Sequence, residues 1–173
     1  MQSNKKRWKS PESFSSHWSS RTQQMADLIP IGSSVIEFGV GLFPISKCID
    51  ISNFSKYTAT DFVKRDGLSF IYDLNSSDLK EFEPHDVAFF SGVLEYIHDL
   101  PLKIKFVSER VQTIIASYST LDNYPTDREI REWVNSYTDL ELISIFENVG
   151  FNLSHKSAWK NQTLYVFTYS KND

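Results

Sequence analysis

Val35-Ile36-Glu37-Phe38-Gly39-Val40-Gly41 is the stretch of this sequence that decides the fold. An apolar run broken by a single acid leads directly into two glycines, which is typical of a buried strand that ends in a sharp turn before a helix. Glycine lets the backbone turn there and leaves no side chain between the backbone and a bound nucleoside or amino acid. The stretch predicts a ligand-binding turn, and a plain glycine turn between strand and helix is the alternative.

Two aspartates follow predicted strands further along the chain. Asp61 comes after residues 57–60, and Asp73 comes after residues 68–72. In an open α/β sheet, the carboxyl ends of the strands line the ligand crevice, where a carboxylate accepts hydrogen bonds from ribose hydroxyls or an adenine amino group. Asp61 lies 20 residues beyond Gly41, the spacing expected of a ribose-binding acid. The alternative is that each aspartate only forms a turn after its strand.

Strands and helices alternate along the chain, which predicts an α/β fold. The predicted strands are residues 34–38, 57–60, 68–72, 86–90, 111–117, 152–159 and 163–169. The predicted helices are residues 11–28, 44–51, a short segment from 76 that stops before 84, 95–109 with a break near Pro101, and a last helix that begins at Thr138 with a capping box and ends at Gly150. Residues 160–162 are too few to join parallel strands, so the last strand is predicted to be antiparallel.

The composition favours one ordinary globular domain. The 173 residues, 40% of them apolar, can close one core but leave no room for a second substrate domain. The net charge of −4 argues against nucleic-acid or membrane-surface binding. Cys48 is the single cysteine, and the sequence has neither a zinc-ligand spacing nor the apolar run of a signal peptide or membrane span. We therefore expect a cytoplasmic protein without a metal site.

The ordered set of these motifs resembles the class I S-adenosylmethionine-dependent methyltransferases. The set comprises Glu37-x-Gly39-x-Gly41, Asp61, Asp73 and Phe90-Ser91-Gly92-Val93-Leu94-Glu95-Tyr96, and residues 133–151 are similar to the late helix of the small-molecule methyltransferases often called type 11. The resemblance covers about residues 31–170. It implies a Rossmann-like, doubly wound sheet of seven strands in the order 3-2-1-4-5-7-6, with helices on both faces. Residues 1–30 are expected to form a helical extension that packs on a methyltransferase domain of residues 31–173.

The resemblance also implies a cofactor, S-adenosylmethionine, with S-adenosylhomocysteine as the product. Glu37 would support the glycine turn, Asp61 would hold the ribose, and Asp73 with Leu74 would contact the adenine. Ser91 and its two successors would line the pocket near the methionine part. The complete set of cofactor-binding residues that it implies is Glu37, Phe38, Gly39, Gly41, Asp61, Phe62, Asp73, Leu74, Ser91, Gly92 and Val93.

Phe43 departs from the family pattern, because it stands where the family usually has a third glycine. Pro44 can begin the next helix and turn the preceding side chain away from the crevice, so we expect Phe43 to pack in the core. His98 is the candidate catalytic residue, a general base for an acceptor hydroxyl, with a surface histidine as the alternative.

Other side chains are candidates to surround the ligands. Arg21 and Trp18 on the first helix are placed to close over the cofactor, with Arg21 on its carboxylate. The alternative is that Trp18 only packs the helix onto the sheet. An aromatic acceptor pocket is expected from Tyr118, Asp122, Trp133 and Tyr137, although each ring is equally consistent with the core.

The expected function is methyl transfer to the oxygen or nitrogen of a small-molecule or sugar-type acceptor, by a monomer or homodimer. A nicotinamide-dependent oxidoreductase is disfavoured, because Gly41-Leu42-Phe43-Pro44 breaks the dinucleotide fingerprint at its third glycine. A non-catalytic methyltransferase-like binding subunit is the alternative from another class, and Phe43 is its best support.

Overall fold

The computed structural model describes residues 5–170, without the side chain of Lys5. Residues 1–4 of the predicted extension and 171–173 of the predicted domain lie outside the described residues. The helices are α1 (Lys5–Lys9), α2 (Trp18–Ala26), α3 (Ile45–Cys48), α4 (Leu100–Ser108) and α5 (Asp139–Glu147), with 3-10 turns at Pro11–Ser13, Ile51–Asn53 and Leu94–Tyr96. The strands are β1 (Ser34–Phe38), β2 (Lys56–Asp61), β3 (Phe70–Ile71), β4 (His85–Phe90), β5 (Val111–Tyr118), β6 (Phe151–Trp159) and β7 (Gln162–Tyr169).

The seven strands form one sheet in the order β3-β2-β1-β4-β5-β7-β6, as the resemblance implied. β1 pairs in parallel with β2 and β4, and the parallel pairing continues to β3 and β5. β7 is antiparallel to both β5 and β6. The prediction that the last strand is antiparallel is therefore confirmed, and the reason is the tight hairpin between β6 and β7, which reverses the chain direction.

Helices cover both faces of the sheet because consecutive strand residues point to opposite sides. Val35 and Phe89 pack on one face with Met25 of α2 and Ile45 of α3. On the other face the core is larger, and its buried residues come from β1, β4 and β5 together with α4 and α5. The doubly wound architecture predicted from the sequence is confirmed.

Local predictions were most accurate where the signal lies within one turn of the chain. The hydroxyl of Thr138 accepts from the Glu141 amide while the Glu141 carboxylate accepts from the Thr138 amide, so the predicted capping box begins α5. The break near Pro101 is also present. Asp99 has φ 51°, in the left-handed region, and separates the 3-10 turn at Leu94–Tyr96 from α4.

Three helix predictions were wrong in extent or existence. The helix over residues 11–28 is interrupted, because Phe14 has an extended backbone and only α2 is α-helical. The helix over residues 44–51 ends at Cys48. No helix forms between residues 76 and 84, where the Ser76 hydroxyl donates to the carbonyl of Asp78 and the Tyr72 hydroxyl to that of Lys80. Such local side-chain bonds compete with helical ones.

The predicted third strand is also too long. Only Phe70–Ile71 of residues 68–72 pair with β2, at the edge of the sheet. Within residues 5–170, no helix has the length and apolar character that crossing a bilayer requires.

Candidate functional site

A cavity of about 600 Å³ opens at the carboxyl ends of the parallel strands, a size in the usual range for small-molecule sites. The crevice lies where the strand order reverses between β1 and β4, the expected ligand position in an open α/β sheet. Every residue predicted for cofactor binding or catalysis lines it except Glu37, namely Phe38, Gly39, Gly41, Asp61, Phe62, Asp73, Leu74, Ser91, Gly92, Val93 and His98. The tertiary structure thus brings one ordered series of motifs to one cavity.

The glycine turn has the backbone conformation that its residues allow. Gly39 and Gly41 have φ values of 70° and 56°, which residues other than glycine rarely adopt. The carbonyl of Thr60 accepts hydrogen bonds from the amides of Gly39 and Val40, so β2 holds the turn. A Cβ on Gly39 would lie 2.7 Å from Val93, and one on Gly41 would lie 2.7 Å from Phe14. The left-handed backbone and the close approach of these two side chains both favour glycine at the two positions.

Glu37 supports the turn from behind and does not line the cavity. Its side chain accepts a hydrogen bond from the Ile45 amide at 3.0 Å and another from the hydroxyl of Tyr57. The residue is 1% exposed, and burial raises the pKa of its carboxyl to about 7. Glu37 therefore ties the start of α3 to β2, as a residue that shapes the turn.

Asp61 is a buried acid of the cavity that is held by three hydrogen bonds. Its Oδ2 accepts from the Gly41 amide at 3.0 Å and from Arg65 Nε at 3.0 Å, while its Oδ1 accepts from the Val63 amide at 2.8 Å. Each carboxylate oxygen has room for about two hydrogen bonds. Among the described residues, Oδ1 accepts only the hydrogen bond from Val63. Asp61 therefore retains one acceptor position on Oδ1 for a ligand hydroxyl.

The segment after β3 links the Asp73 end of the cavity to His98. Asp73 Oδ1 accepts from the Asn75 amide at 3.0 Å. The Asn75 side chain donates to the carbonyl of Tyr96 and accepts from the amide of His98, both at 2.8 Å. His98 is half-buried in the cavity wall, so its backbone position depends on the same loop that carries Asp73.

Arg21 of α2 is buried against the segment that follows β4. Its guanidinium donates to the side chain and carbonyl of Ser91, at 3.1 and 3.0 Å, and to Gln162 Oε1 at 2.8 Å. Burial lowers the pKa of Arg21 to about 10, so the group stays charged at neutral pH. Three of its five N–H donors have acceptors in the described part of the chain, which leaves two for a ligand carboxylate.

Aromatic side chains from the N-terminal segment cover the cavity. The Trp8 ring centroid lies 5.3 Å from that of Phe14, 6.2 Å from that of Trp18 and 5.0 Å from that of Tyr96. The carbonyl of Trp8 accepts a 2.7 Å hydrogen bond from Arg65, the same residue that pairs with Asp61. We call Trp8, Phe14 and Trp18 the aromatic cover. Because Trp18 lines the cavity, the interpretation that it only packs the helix onto the sheet was wrong.

Two expectations about aromatic residues are corrected by the structure. Phe43 lines the cavity and is half-buried, so it does not pack in the core as we expected. Pro44 precedes α3 as its N-cap residue, with an extended backbone, and Phe43 before it lies in the cavity wall. A cavity of about 600 Å³ persists beside the ring, which therefore narrows the site without filling it.

The expected aromatic acceptor pocket forms only in part. Trp133 lines the cavity and donates to the Tyr96 hydroxyl at 3.1 Å. Tyr118 is buried in the core, where its hydroxyl accepts from the Tyr137 amide. Asp122 accepts from the amide of Asp139 at the start of α5. Tyr118, Asp122 and Tyr137 therefore support the core and the last helix, outside the cavity wall.

Glu95 was given no role by the sequence reasoning, yet it lines the cavity and is 1% exposed. Its Oε1 accepts from the Ser119 amide and from Gln162 Nε2, both at 2.9 Å. Its Oε2 is buried without a hydrogen-bond partner in the described structure. Burial raises the pKa of this carboxyl. Glu95 is the single acid among the residues Val93-Leu94-Glu95-Tyr96-Ile97, which is the sequence signal that could have indicated it.

The described residues contain no group of three or more His, Cys, Asp or Glu side chains that could hold a metal ion.

Comparison with solved structures identifies the fold. A chain of the complex between the Haloferax volcanii Trm112 methyltransferase activator and a methyltransferase has a TM-score of 0.70 and 12% identity, over 90% of this chain and 91% of that one. An S-adenosylmethionine-dependent methyltransferase from Mesorhizobium loti has a TM-score of 0.66 and 14% identity, over 86% and 96% of the two chains. The protein therefore has the fold of class I S-adenosylmethionine-dependent methyltransferases.

A third similar structure carries ligands. It is the Burkholderia thailandensis 1,6-didemethyltoxoflavin-N1-methyltransferase with bound 1,6-didemethyltoxoflavin and S-adenosylhomocysteine, with a TM-score of 0.70 and 10% identity over 97% of this chain and 84% of that one. No protein-family description matches the sequence. No curated protein matches it in sequence either.

Proposed function

We propose that the protein is an S-adenosylmethionine-dependent methyltransferase that acts on the oxygen or nitrogen of a small-molecule or sugar-type acceptor. One observation carries this proposal: the predicted motifs meet at one cavity, where the strand order reverses between β1 and β4. These motifs are the Gly39–Gly41 turn, Asp61, Asp73 and the segment after β4. The bound 1,6-didemethyltoxoflavin of the Burkholderia protein supports a small-molecule acceptor.

The residues of the cavity fit the cofactor. Its volume of about 600 Å³ suits a nucleoside joined to an amino acid, and the two glycines let the backbone approach a ligand. The open acceptor position on Asp61 suits a ribose hydroxyl. Arg21, charged and with two N–H donors to spare, suits the carboxylate of the methionine part.

S-adenosylmethionine supplies a methyl group on a positively charged sulfur. The part of the protein is to position the acceptor, because an in-line displacement gains much of its rate from alignment of the reacting atoms. Where the apolar rings of the aromatic cover replace water around the ligands, the charge interactions between those ligands and the protein are stronger. In this proposal His98 stands in the wall as a candidate base for an acceptor hydroxyl.

Calorimetric titration with S-adenosylmethionine and S-adenosylhomocysteine tests the proposal directly. Asp61→Ala should weaken binding of S-adenosylhomocysteine by about 1–3 kcal/mol, the range for losing a charged hydrogen-bond partner. Asp61→Asn keeps the size of the side chain but only one of its two acceptor oxygens, so it should also weaken binding of S-adenosylhomocysteine. Asp78→Ala is the matched control, because Asp78 is exposed and lies outside the cavity wall.

Absence of binding by the wild-type protein to either compound would contradict the proposal. That result would favour the non-catalytic binding subunit. Equal affinity of wild type and Asp61→Ala for S-adenosylhomocysteine would contradict only the ribose assignment of Asp61.

A further inference from the structure

The strongest unexplained feature of the cavity is the free oxygen of Glu95. Buried polar atoms in proteins nearly always have a hydrogen-bond partner, and a missing one costs about 1–3 kcal/mol, more for a charged group. Oε2 of Glu95 has none in the described part of the molecule, although the residue is fully buried and belongs to the cavity wall. The atom is an acceptor in need of a donor.

The carboxylate of Glu95 is held firmly, so the free oxygen is not a consequence of a loose side chain. Glu95 lies in the 3-10 turn that follows β4. Its other oxygen is bound at 2.9 Å by the amide of Ser119, just after β5, and at 2.9 Å by Gln162 at the start of β7. Gln162 is itself fixed, because its own Oε1 accepts from Arg21 at 2.8 Å.

These anchors place Glu95 on a particular half of the site. The glycine turn and Asp61 belong to β1 and β2, whereas the partners of Glu95 follow β5 and begin β7, on the other side of β4 in the sheet. The proposed cofactor occupies the β1–β2 half and reaches Ser91 with its methionine end. Gln162 binds both Glu95 and Arg21, the residue proposed for the cofactor carboxylate. The Glu95 carboxylate therefore lies next to the methionine end of the proposed cofactor, on the β5–β7 side of it.

We propose that Glu95 binds the methyl acceptor, with Oε2 accepting a hydrogen bond from the acceptor's reacting N–H or O–H group. The inference rests on the proposed methyltransferase function and deepens it. Because a carboxylate only accepts, the site selects an amine, amide or hydroxyl and disfavours an anionic oxygen. The guanidinium of Arg21 lies close enough to attract the Glu95 carboxylate, but in the described structure it donates to Ser91 and Gln162 and not to Oε2.

The same contact accounts for the proton that methyl transfer releases. The lone pair of the acceptor nitrogen or oxygen forms the new bond to the methyl carbon, and the sulfur–methyl bond breaks with its electron pair retained by sulfur. The acceptor's proton then passes to Oε2 of Glu95. Burial raises the pKa of Glu95, which makes its carboxylate a stronger base than an exposed one.

Sinefungin is a probe that needs no knowledge of the acceptor. It carries an ammonium-bearing carbon in place of the methyl-bearing sulfur of S-adenosylmethionine, whereas S-adenosylhomocysteine has no group at that position. The ammonium therefore offers N–H donors where the methyl group and acceptor meet. Wild-type protein should bind sinefungin about tenfold or more tightly than S-adenosylhomocysteine, as expected for one charge-assisted hydrogen bond.

Glu95→Gln should abolish that preference and leave the affinity for S-adenosylhomocysteine within about twofold of wild type. The amide keeps the oxygen that accepts from Ser119 and Gln162, and it replaces only the free oxygen. Glu109→Gln, the same change at an exposed position outside the cavity, should keep the wild-type preference. If Glu95→Gln unfolds, Glu95→Asp is the second variant. It keeps the negative charge but shortens the side chain by one methylene, so it should also lose the preference for sinefungin.

The outcomes separate this inference from the proposed function. Binding of S-adenosylhomocysteine with an unchanged sinefungin preference in a folded Glu95 variant would overturn the role of Glu95 and leave the methyltransferase function standing. Absence of binding of both compounds to the wild-type protein would overturn the proposed function itself.

Discussion

Replacement of Glu37 by glutamine isolates the energetic cost of supporting the glycine turn with a buried acid. Glu37 is fully buried, and its Oε2 accepts from both the Ile45 amide and the Tyr57 hydroxyl. The single oxygen of a glutamine amide can also accept two hydrogen bonds. Glu37→Gln should therefore preserve the turn and remove only the ionisation.

The magnitude follows from the pKa. Burial is the main cause that raises the pKa of Glu37 from 4.5 to about 7, and the hydrogen bonds from Tyr57 and Ile45 partly oppose it. A carboxyl whose pKa is higher in the folded than in the unfolded state contributes stability that is complete below the unfolded value and is lost as the pH rises through the folded value. At about 1.4 kcal/mol per pH unit, this loss amounts to about 3 kcal/mol between pH 4.5 and pH 8.

Urea unfolding of wild type and Glu37→Gln at several pH values between 4.5 and 8 measures the effect. The difference in unfolding free energy between the two proteins should change by about 3 kcal/mol across that range, in favour of the variant at high pH. Taking the difference removes the contribution of other titrating groups. Glu109→Gln, at an exposed position, should give a profile parallel to wild type. Parallel profiles for wild type and Glu37→Gln would refute the reasoning.

Two further predictions concern the cavity wall. Trp8→Ala should raise the dissociation rate of S-adenosylhomocysteine about tenfold, because Trp8 contacts Phe14, Trp18 and Tyr96 and its removal opens the aromatic cover. Stopped-flow displacement measures this rate. An unchanged rate would show that the aromatic cover does not retain the ligand. Phe43→Gly should lower the unfolding free energy by only about 1–2 kcal/mol, as expected of a half-buried ring, and should leave S-adenosylhomocysteine affinity within about threefold. Markedly tighter binding in calorimetry would show that Phe43 obstructs the site.

The accuracy of the sequence predictions followed the range of the interactions behind them. The strand before Gly39, the Thr138 capping box and the β6–β7 hairpin depend on neighbours within a few residues, and all three formed as predicted. The helix expected after Ser76 did not form, because side-chain bonds within the segment replaced helical ones. Phe14 likewise lies outside any helix, contrary to the prediction, and its ring packs against Trp8 and Gly41.

The sequence by itself determined the α/β class, the order of the ligand-binding motifs and the direction of the last strand, because these depend on apolar periodicity, glycine positions and loop length. The tertiary structure alone decided which distant groups meet in the cavity. Glu95 is held in the cavity wall by hydrogen bonds from Ser119 and Gln162, which are 24 and 67 residues away in the chain. Phe43 faces the crevice for a similar reason. A side chain's partners across the sheet depend on how separate strands and loops pack, and no local pattern in the sequence encodes that packing.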